Sequence, residues 1–181
     1  MKLIQNTSDI LLALGVAGKH KAPIHNFCID SRKVKQNSVF VGLTGSNKDG
    51  SIYCDDAFSN GAAFAIIKTK KGMNANKLNH NTLSVSSPEK ALAKLAKVAL
   101  KTFTGPVIGI TGSNGKTTTK NILNTGIKNS FSTFKNFNNE IGLPFCALML
   151  DSANEVAVFE MGAAKKGDIH FLSQIVQPSI G

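Results

Sequence analysis

The sequence contains no tryptophan and a single tyrosine among 181 residues. Proteins that grip nucleic acid stack bases on aromatic rings set between basic side chains, and neither that interleaving nor a recognisable nucleic-acid module is present, so a nucleic-acid partner is not expected. Three cysteines, Cys28, Cys54 and Cys146, stand far apart with no His or Cys at metal-ligand spacing. That argues against a disulfide frame or a zinc site and for reduced thiols. No apolar run reaches the roughly 18 residues that cross a bilayer. The start Met-Lys-Leu-Ile-Gln-Asn-Thr also lacks the apolar stretch of a signal peptide, so a cytoplasmic protein without membrane insertion is expected.

Acidic residues are scarce too: 11 Asp and Glu face 21 Lys and Arg, for a net charge of +10. The excess is unevenly placed, with fifteen basic against six acidic residues in 1–104 and six against five in 105–181. Such a field favours anionic partners, whether nucleic acid, an acidic lipid surface or a phosphorylated small molecule, and charge alone does not choose among them. A hydrophobic content of 42% is ordinary for a globular α/β chain of this length.

Residues 1–104 read as a small α/β unit. Ser38–Leu43 and Ala63–Ile67 are short apolar strands, Tyr53–Asn60 is a helix stopped by Gly61, and Lys68–Asn81 is polar enough to be a loop. From Pro88 to about Phe103 the spacing predicts an amphipathic helix, capped by Ser87, with Leu92, Leu95, Ala96, Ala99, Leu100 and Phe103 on one face and four lysines on the other. Its apolar side is small and Ala-rich, which suits a surface helix packed on its own domain better than a membrane-lying one. Thr104-Gly105-Pro106 breaks it, and the domain boundary is expected there, giving domains 1–104 and 105–181. Beyond it the pattern alternates strand (Val107–Ile110), helix (Lys116 to about Lys128), strand (Phe131–Phe134), helix (Gly142–Leu150), strand (Glu155–Phe159) and a short helix near Asp168–Gln174. That alternation predicts a parallel sheet flanked by helices, with a further strand starting at Pro178–Gly181. The second domain is expected to be incomplete.

Between the first of these strands and its helix lies Thr111-Gly112-Ser113-Asn114-Gly115-Lys116-Thr117. Glycines at a strand-to-helix turn let the backbone approach a phosphate, and the helix start aims N–H groups and the positive end of its dipole at it. Lys116 adds a full charge for the outer phosphates, and the Thr117 hydroxyl suits the Mg²⁺ that bridges them. The strict form G-x-x-x-x-G-K-[ST] is not met, because Ile110 stands where its first glycine belongs. An incidental glycine-rich turn would account for the glycines but not for Lys-Thr directly after the last of them. ATP and Mg²⁺ are therefore the expected cofactors.

Phosphoryl transfer depends on positioning and charge neutralisation, so a second metal ligand on a neighbouring strand end is expected. Glu160 fits, since it follows the apolar run Val156-Ala157-Val158-Phe159 at the carboxyl end of a strand; a surface Glu that merely ends the strand is the plainer alternative. The amide-dense run Asn136–Pro144 is either a turn or a contact to phosphate or sugar, and Asn139 can equally cap the next helix.

Three runs together, Ile110–Lys120, Asn136–Pro144 and Glu160-Met161-Gly162-Ala163, resemble in order and spacing the central-domain signatures of the ATP-dependent Mur ligases of peptidoglycan synthesis. Asp30–Val34, Val39–Gly45 and Asp49-Gly50 are similar to the opening of that family's UDP-binding domain, although Ser51 stands where the family usually has a His. Within the family, the Glu160 and Asn136 runs resemble the branch that joins D-Ala-D-Ala to UDP-N-acetylmuramoyl tripeptide more than the branch that adds the third residue.

The resemblance implies an N-terminal UDP-substrate-binding domain followed by part of a P-loop ATP-binding domain. It implies that Thr111, Gly112, Ser113, Asn114, Gly115, Lys116 and Thr117 hold ATP, that Lys116 and Glu160 are catalytic, and that Thr117 and Glu160 serve Mg²⁺. Ser31 and Arg32 would contact the UDP end of the substrate, and Asn138 and Asn139 would stand near the meeting point of ATP and muramoyl substrate. A monomer acting on UDP-N-acetylmuramoyl tripeptide and D-Ala-D-Ala is expected, with the present chain a truncated piece inactive in ligation by itself. The rival readings are a P-loop switch and a nucleotide-binding module without ligase chemistry.

Overall fold

The computed structural model describes residues 3–45, 48–70 and 75–181. It divides into two compact units, one of Ile4–Leu95 and one of Ala96–Gly181 with Leu3.

The first unit opens with α1 (Thr7–Leu14), which composition alone did not suggest. Its signals are local: Asn6 accepts from the Asp9 N–H, the Asp9 carboxylate answers the Asn6 N–H, and Gly15 closes the helix in the left-handed region. A five-stranded sheet follows, made of β1 (Asn26–Cys28), β2 (Ser38–Val41), β3 (Ala62–Lys68), β4 (Lys77–Asn79) and β5 (Thr82–Val85) in the order β1-β2-β3-β5-β4. All neighbours run parallel except β4, which lies antiparallel on β5. The expected helix Tyr53–Asn60 is α2 (Cys54–Ser59) behind a 3-10 turn over Gly50–Tyr53. The expected loop over Lys68–Asn81 is corrected at its end by β4; residues 71–74 of that stretch lie outside the described residues. β4 escapes a pattern search because an edge strand with Leu78 as its only apolar side chain has no alternation to show.

Helix α3 (Pro88–Lys101) begins in this unit. Ser87 caps it by accepting from the Lys90 N–H, and Leu92, Leu95, Ala96, Ala99 and Leu100 are buried as their spacing requires. Glu89 turns back to accept from the Thr44 N–H at 2.7 Å and the Ser87 hydroxyl at 2.7 Å. Burial alone would raise its carboxyl, yet these donors outweigh it and leave the pKa below the ordinary value of 4.5. A carboxylate depressed in the folded state lends stability that is complete above its unfolded pKa and disappears as pH falls through the folded one. Replacing Glu89 with Gln is thus expected to cost about 1 kcal/mol near neutrality and almost nothing at low pH, as thermal melts across that range would show.

The second unit holds a parallel sheet of β6 (Val107–Ile110), β7 (Ser130–Ser132) and β8 (Val156–Glu160), ordered β6-β8-β7, with α4 (Lys116–Gly126), α5 (Gly142–Ala147) and α6 (Asp168–Val176). Strand β6 has the expected bounds, while β7 begins one residue early and ends at Ser132 rather than Phe134. At the other edge of β6, Ile180 makes a parallel bridge to Ile108, where the sequence suggested a strand starting. Val158 and Phe159 at the centre of β8 are fully buried, as are Leu143, Leu150 and, nearly so, Leu172. The mixed α/β class with parallel sheets is the one expected. Among the described residues no helix is long and apolar enough to cross a membrane. The three cysteines are free thiols; Cys28 and Cys146 are buried and Cys54 is half-buried.

Candidate functional site

Parallel register decides what faces what in the second unit. Ile110, the last residue of β6, pairs with Glu160, the last of β8, so the chain leaves β6 into Thr111 beside the end of its central neighbour. The loop then turns through Gly112 at φ +144° and Gly115 at φ +80°, conformations open to glycine and strained for any residue with a Cβ. Residues 111–115 are exposed. Helix α4 starts on Gly115 with no side-chain cap and no acidic residue in its first turn. By contrast α1 and α3 have their first N–H groups answered by Asn6 and Ser87, and α6 carries Asp168 at its start. Helix α6 also lacks a side-chain cap, so α4 is the one of these four with neither a cap nor an acidic residue in its first turn, the arrangement suited to an anion. Lys116 folds over the loop and donates to the carbonyls of Gly112 at 2.5 Å and Ser113 at 3.4 Å.

Behind the loop lies a buried polar knot around Glu160, which is 3% exposed. Its Oε2 accepts from the Thr117 hydroxyl at 2.9 Å, and its Oε1 accepts from the Asn138 side-chain amide at 2.9 Å. The Lys120 ammonium stands 3.8 Å from Oε2, both side chains being about 95% buried. The Glu160 N–H donates to the hydroxyl of Thr133, itself buried, at 3.0 Å. A carboxylate without compensation would be costly at such burial, and here each oxygen has a donor and the pair is charge-balanced.

The amide-rich run is fixed from both sides. Phe134, Phe137 and Phe145 meet edge to face with centroids 5.2 to 6.3 Å apart, and the Asn138 carbonyl accepts from the Gly162 N–H at 2.7 Å. Asn138 and Asn139 therefore differ in placement. Asn138 reaches the carboxylate, whereas the Asn139 Oδ1 accepts from the N–H groups of Gly142 at 2.8 Å and Ile141 at 3.3 Å and holds the start of α5.

The sequence-predicted residues of the loop, with Glu160 and Asn138, are thus gathered in one place. Ser31 and Arg32 belong to the first unit, in a 3-10 turn at Ser31–Lys33. Ser31 is buried, and its carbonyl accepts from the Asn60 side chain. Arg32 is exposed and pairs bidentately with Asp30, both N–O distances 2.9 Å; hydrogen bonding to Arg32 holds the Asp30 carboxyl below its ordinary value despite slight desolvation. Lys120 and Thr133 carry no role in the sequence reading. The signal for Lys120 was its spacing, three residues after Thr117 on the same helix face.

Among the described residues no group of three or more His, Cys, Asp or Glu could hold a metal by itself. The donors present nonetheless suit Mg²⁺, a hard cation that takes one or two protein oxygens and leaves its other positions to phosphates and water. Thr117 Oγ1 and Glu160 Oε2 are separated by 2.9 Å.

Two family models match the chain. A model described as "Mur ligase middle domain" matches residues 110–181, and one described as "Mur ligase family, catalytic domain" matches residues 23–99. A UDP-N-acetylmuramoyl-tripeptide–D-alanyl-D-alanine ligase of Bacillus subtilis is 39% identical over 158 residues, 86% of this chain and 34% of that protein. The enzyme of the same name from Buchnera aphidicola is 34% identical over 99% of this chain and 39% of its own length. In structure the chain is similar to the ligase MurF of Acinetobacter baumannii, with a TM-score of 0.84, 27% identity and coverage of 96% of this chain and 39% of that one. It is similar also to MurF of Thermotoga maritima solved with ADP, with a TM-score of 0.73, 38% identity, and coverage of 85% and 36%. The chain thus spans between a third and two fifths of the length of these relatives.

Proposed function

This chain belongs to the Mur ligase family, and from that premise we propose that it serves the ATP-dependent joining of D-Ala-D-Ala to UDP-N-acetylmuramoyl tripeptide. In this reading residues 1–104 are the domain for the UDP end of the substrate, with Ser31 and Arg32 among its contacts, and residues 105–181 belong to the ATP-binding domain. A cytoplasmic location and a monomeric state go with it.

The observation that carries the reading is the meeting of Thr117 with Glu160 beneath an uncapped glycine loop. The loop from Thr111 to Gly115 would wrap the phosphates with its N–H groups, and Lys116 would leave the Gly112 carbonyl for the terminal phosphate. Thr117 and Glu160 would hold Mg²⁺, which when bound neutralises phosphate charge and orients the group in transfer. Asn138, bonded to Glu160, would keep the carboxylate aimed at the phosphate side and stand next to the muramoyl substrate, with Asn139 fixing the backbone beside it. The substrate's terminal carboxylate would attack the γ-phosphorus, giving an acyl phosphate and ADP; the amine of D-Ala-D-Ala would then displace phosphate. The positive field of the first 104 residues suits a ligand that carries a diphosphate and carboxylates.

Calorimetric titration of the 181-residue chain tests this. Binding of ADP strengthened by Mg²⁺, together with binding of UDP-N-acetylmuramoyl tripeptide, is the expected result. Nucleotide binding without any response to the tripeptide would instead favour a plain nucleotide-binding module, and tight GTP binding a switch.

Gly162 supplies a sharper check. A Cβ there would lie 2.9 Å from the Asn138 Oδ1 and 3.0 Å from its Cγ, so alanine must push that amide away from Glu160. Gly162→Ala is expected to lower stability by about 1–3 kcal/mol and to weaken the gain in ADP affinity on adding Mg²⁺. Thermal melts and paired titrations with and without the metal would read both; an unchanged metal response would remove Asn138 from the site.

A further inference from the structure

We infer that Lys120 makes divalent-metal binding conditional on a bound nucleotide, by occupying the charge position that a metal would otherwise fill. This rests on the reading that Thr117 and Glu160 hold the metal.

Lysine is almost never fully buried without a reason, and Lys120 is 4% exposed in a helix whose Ile122 is left 66% exposed. Burial of the ammonium in preference to the isoleucine points to its partner. That partner is the oxygen offered to the metal: Oε2 of Glu160 accepts the Thr117 hydroxyl at 2.9 Å and faces the Lys120 ammonium at 3.8 Å. The other oxygen is taken by Asn138. With nothing bound the knot is neutral, one carboxylate against one ammonium. A dication arriving alone meets a carboxylate already balanced, and also a positive charge close to the same oxygen at low dielectric. A nucleotide reverses the sum, because its phosphates bring several negative charges to the loop above, and the metal then enters a net anionic site. The site would therefore take metal and nucleotide as a pair and leave bare metal unbound. Lys120 is a positioning and gating residue in this account. It acts through the Glu160 carboxylate.

The test follows Mn²⁺ by its electron paramagnetic resonance signal, which fades on binding. In the nucleotide-free wild-type chain no binding is expected below millimolar Mn²⁺, and addition of ADP should bring it in beyond what ADP binds in free solution. Lys120→Gln keeps a polar N–H donor on a side chain one bond shorter but removes the charge; it should bind Mn²⁺ without nucleotide, tighter than wild type by roughly tenfold or more. Lys120→Arg keeps the charge and should behave as wild type. A purely structural lysine would change the melting temperature in the Gln variant and leave the Mn²⁺ titration where it was, which overturns the inference. So does Mn²⁺ binding to nucleotide-free wild type below the millimolar range that Glu160→Gln abolishes, a result that needs no Lys120 variant to fold. Should Lys120→Gln not fold, Lys120→Met carries the same expectation. Failure of the underlying reading looks different: ADP then recruits no extra Mn²⁺ to wild type, and Glu160→Gln changes nothing.

Discussion

Replacing Lys116 with alanine is expected to weaken ADP and ATP binding by about 100-fold while leaving the fold intact. Among the described residues the side chain donates to the carbonyls of Gly112 and Ser113, both within the loop it would serve. Neither it nor residues 111–115 contribute to the core. The loss therefore falls on the ligand. Without the ammonium the phosphates keep the N–H groups at the start of α4, so binding is weakened rather than abolished. Titration calorimetry with Mg²⁺ and ADP measures the affinity, and a thermal melt of the same sample shows that the variant is folded. An affinity equal to wild type would mean that the loop is only a connection between β6 and α4.

Much of this site was legible before the fold was known, because its parts announce themselves locally. Val107–Ile110 is a short apolar run closed by Gly105-Pro106 on one side and by glycines on the other, which leaves a buried strand as the only economical reading. Glu160 was found by the same logic, as the first charge after an apolar strand. Non-local facts hid the rest. Thr133 is one polar residue among Ser130, Ser132 and Lys135, and only the pairing of β7 with β8 brings its hydroxyl to the Glu160 N–H. Lys120 was passed over for a better reason: a lysine in a polar helix belongs to solvent on every general rule, and the ion that overrules this lies 40 residues away. In the first unit the sequence reading also lacks β1 and β4, of three residues each, and β5, of four, runs too short to stand out from their polar surroundings. Helix α1 does carry local signals, with Asn6 and Asp9 forming its capping box and Gly15 its left-handed stop.

The buried pair also fixes the largest stability effect. Glu160→Ala removes the acceptor of the Thr117 hydroxyl and the Asn138 amide, and it strands the Lys120 ammonium in a place about 95% closed to water. Stranding one member of a buried ion pair costs about 3–5 kcal/mol, more than either lost hydrogen bond, so the charge dominates. The melting temperature should fall by about 10 °C or more. Two further variants separate charge from space. Glu160→Gln keeps the shape and can still accept from Thr117, so its cost contains no vacated volume and combines the missing charge with the acceptor lost to the Asn138 amide. The double variant Glu160→Ala with Lys120→Met removes both ions, and it should recover most of the stability that Glu160→Ala loses, because no uncompensated charge remains in the core. None of the three should regain the strengthening of ADP binding by Mg²⁺. Recovery of stability without recovery of metal response would separate what Glu160 does for the fold from what it does for the site. A double variant no more stable than Glu160→Ala would locate the cost in the vacated volume rather than in the ammonium.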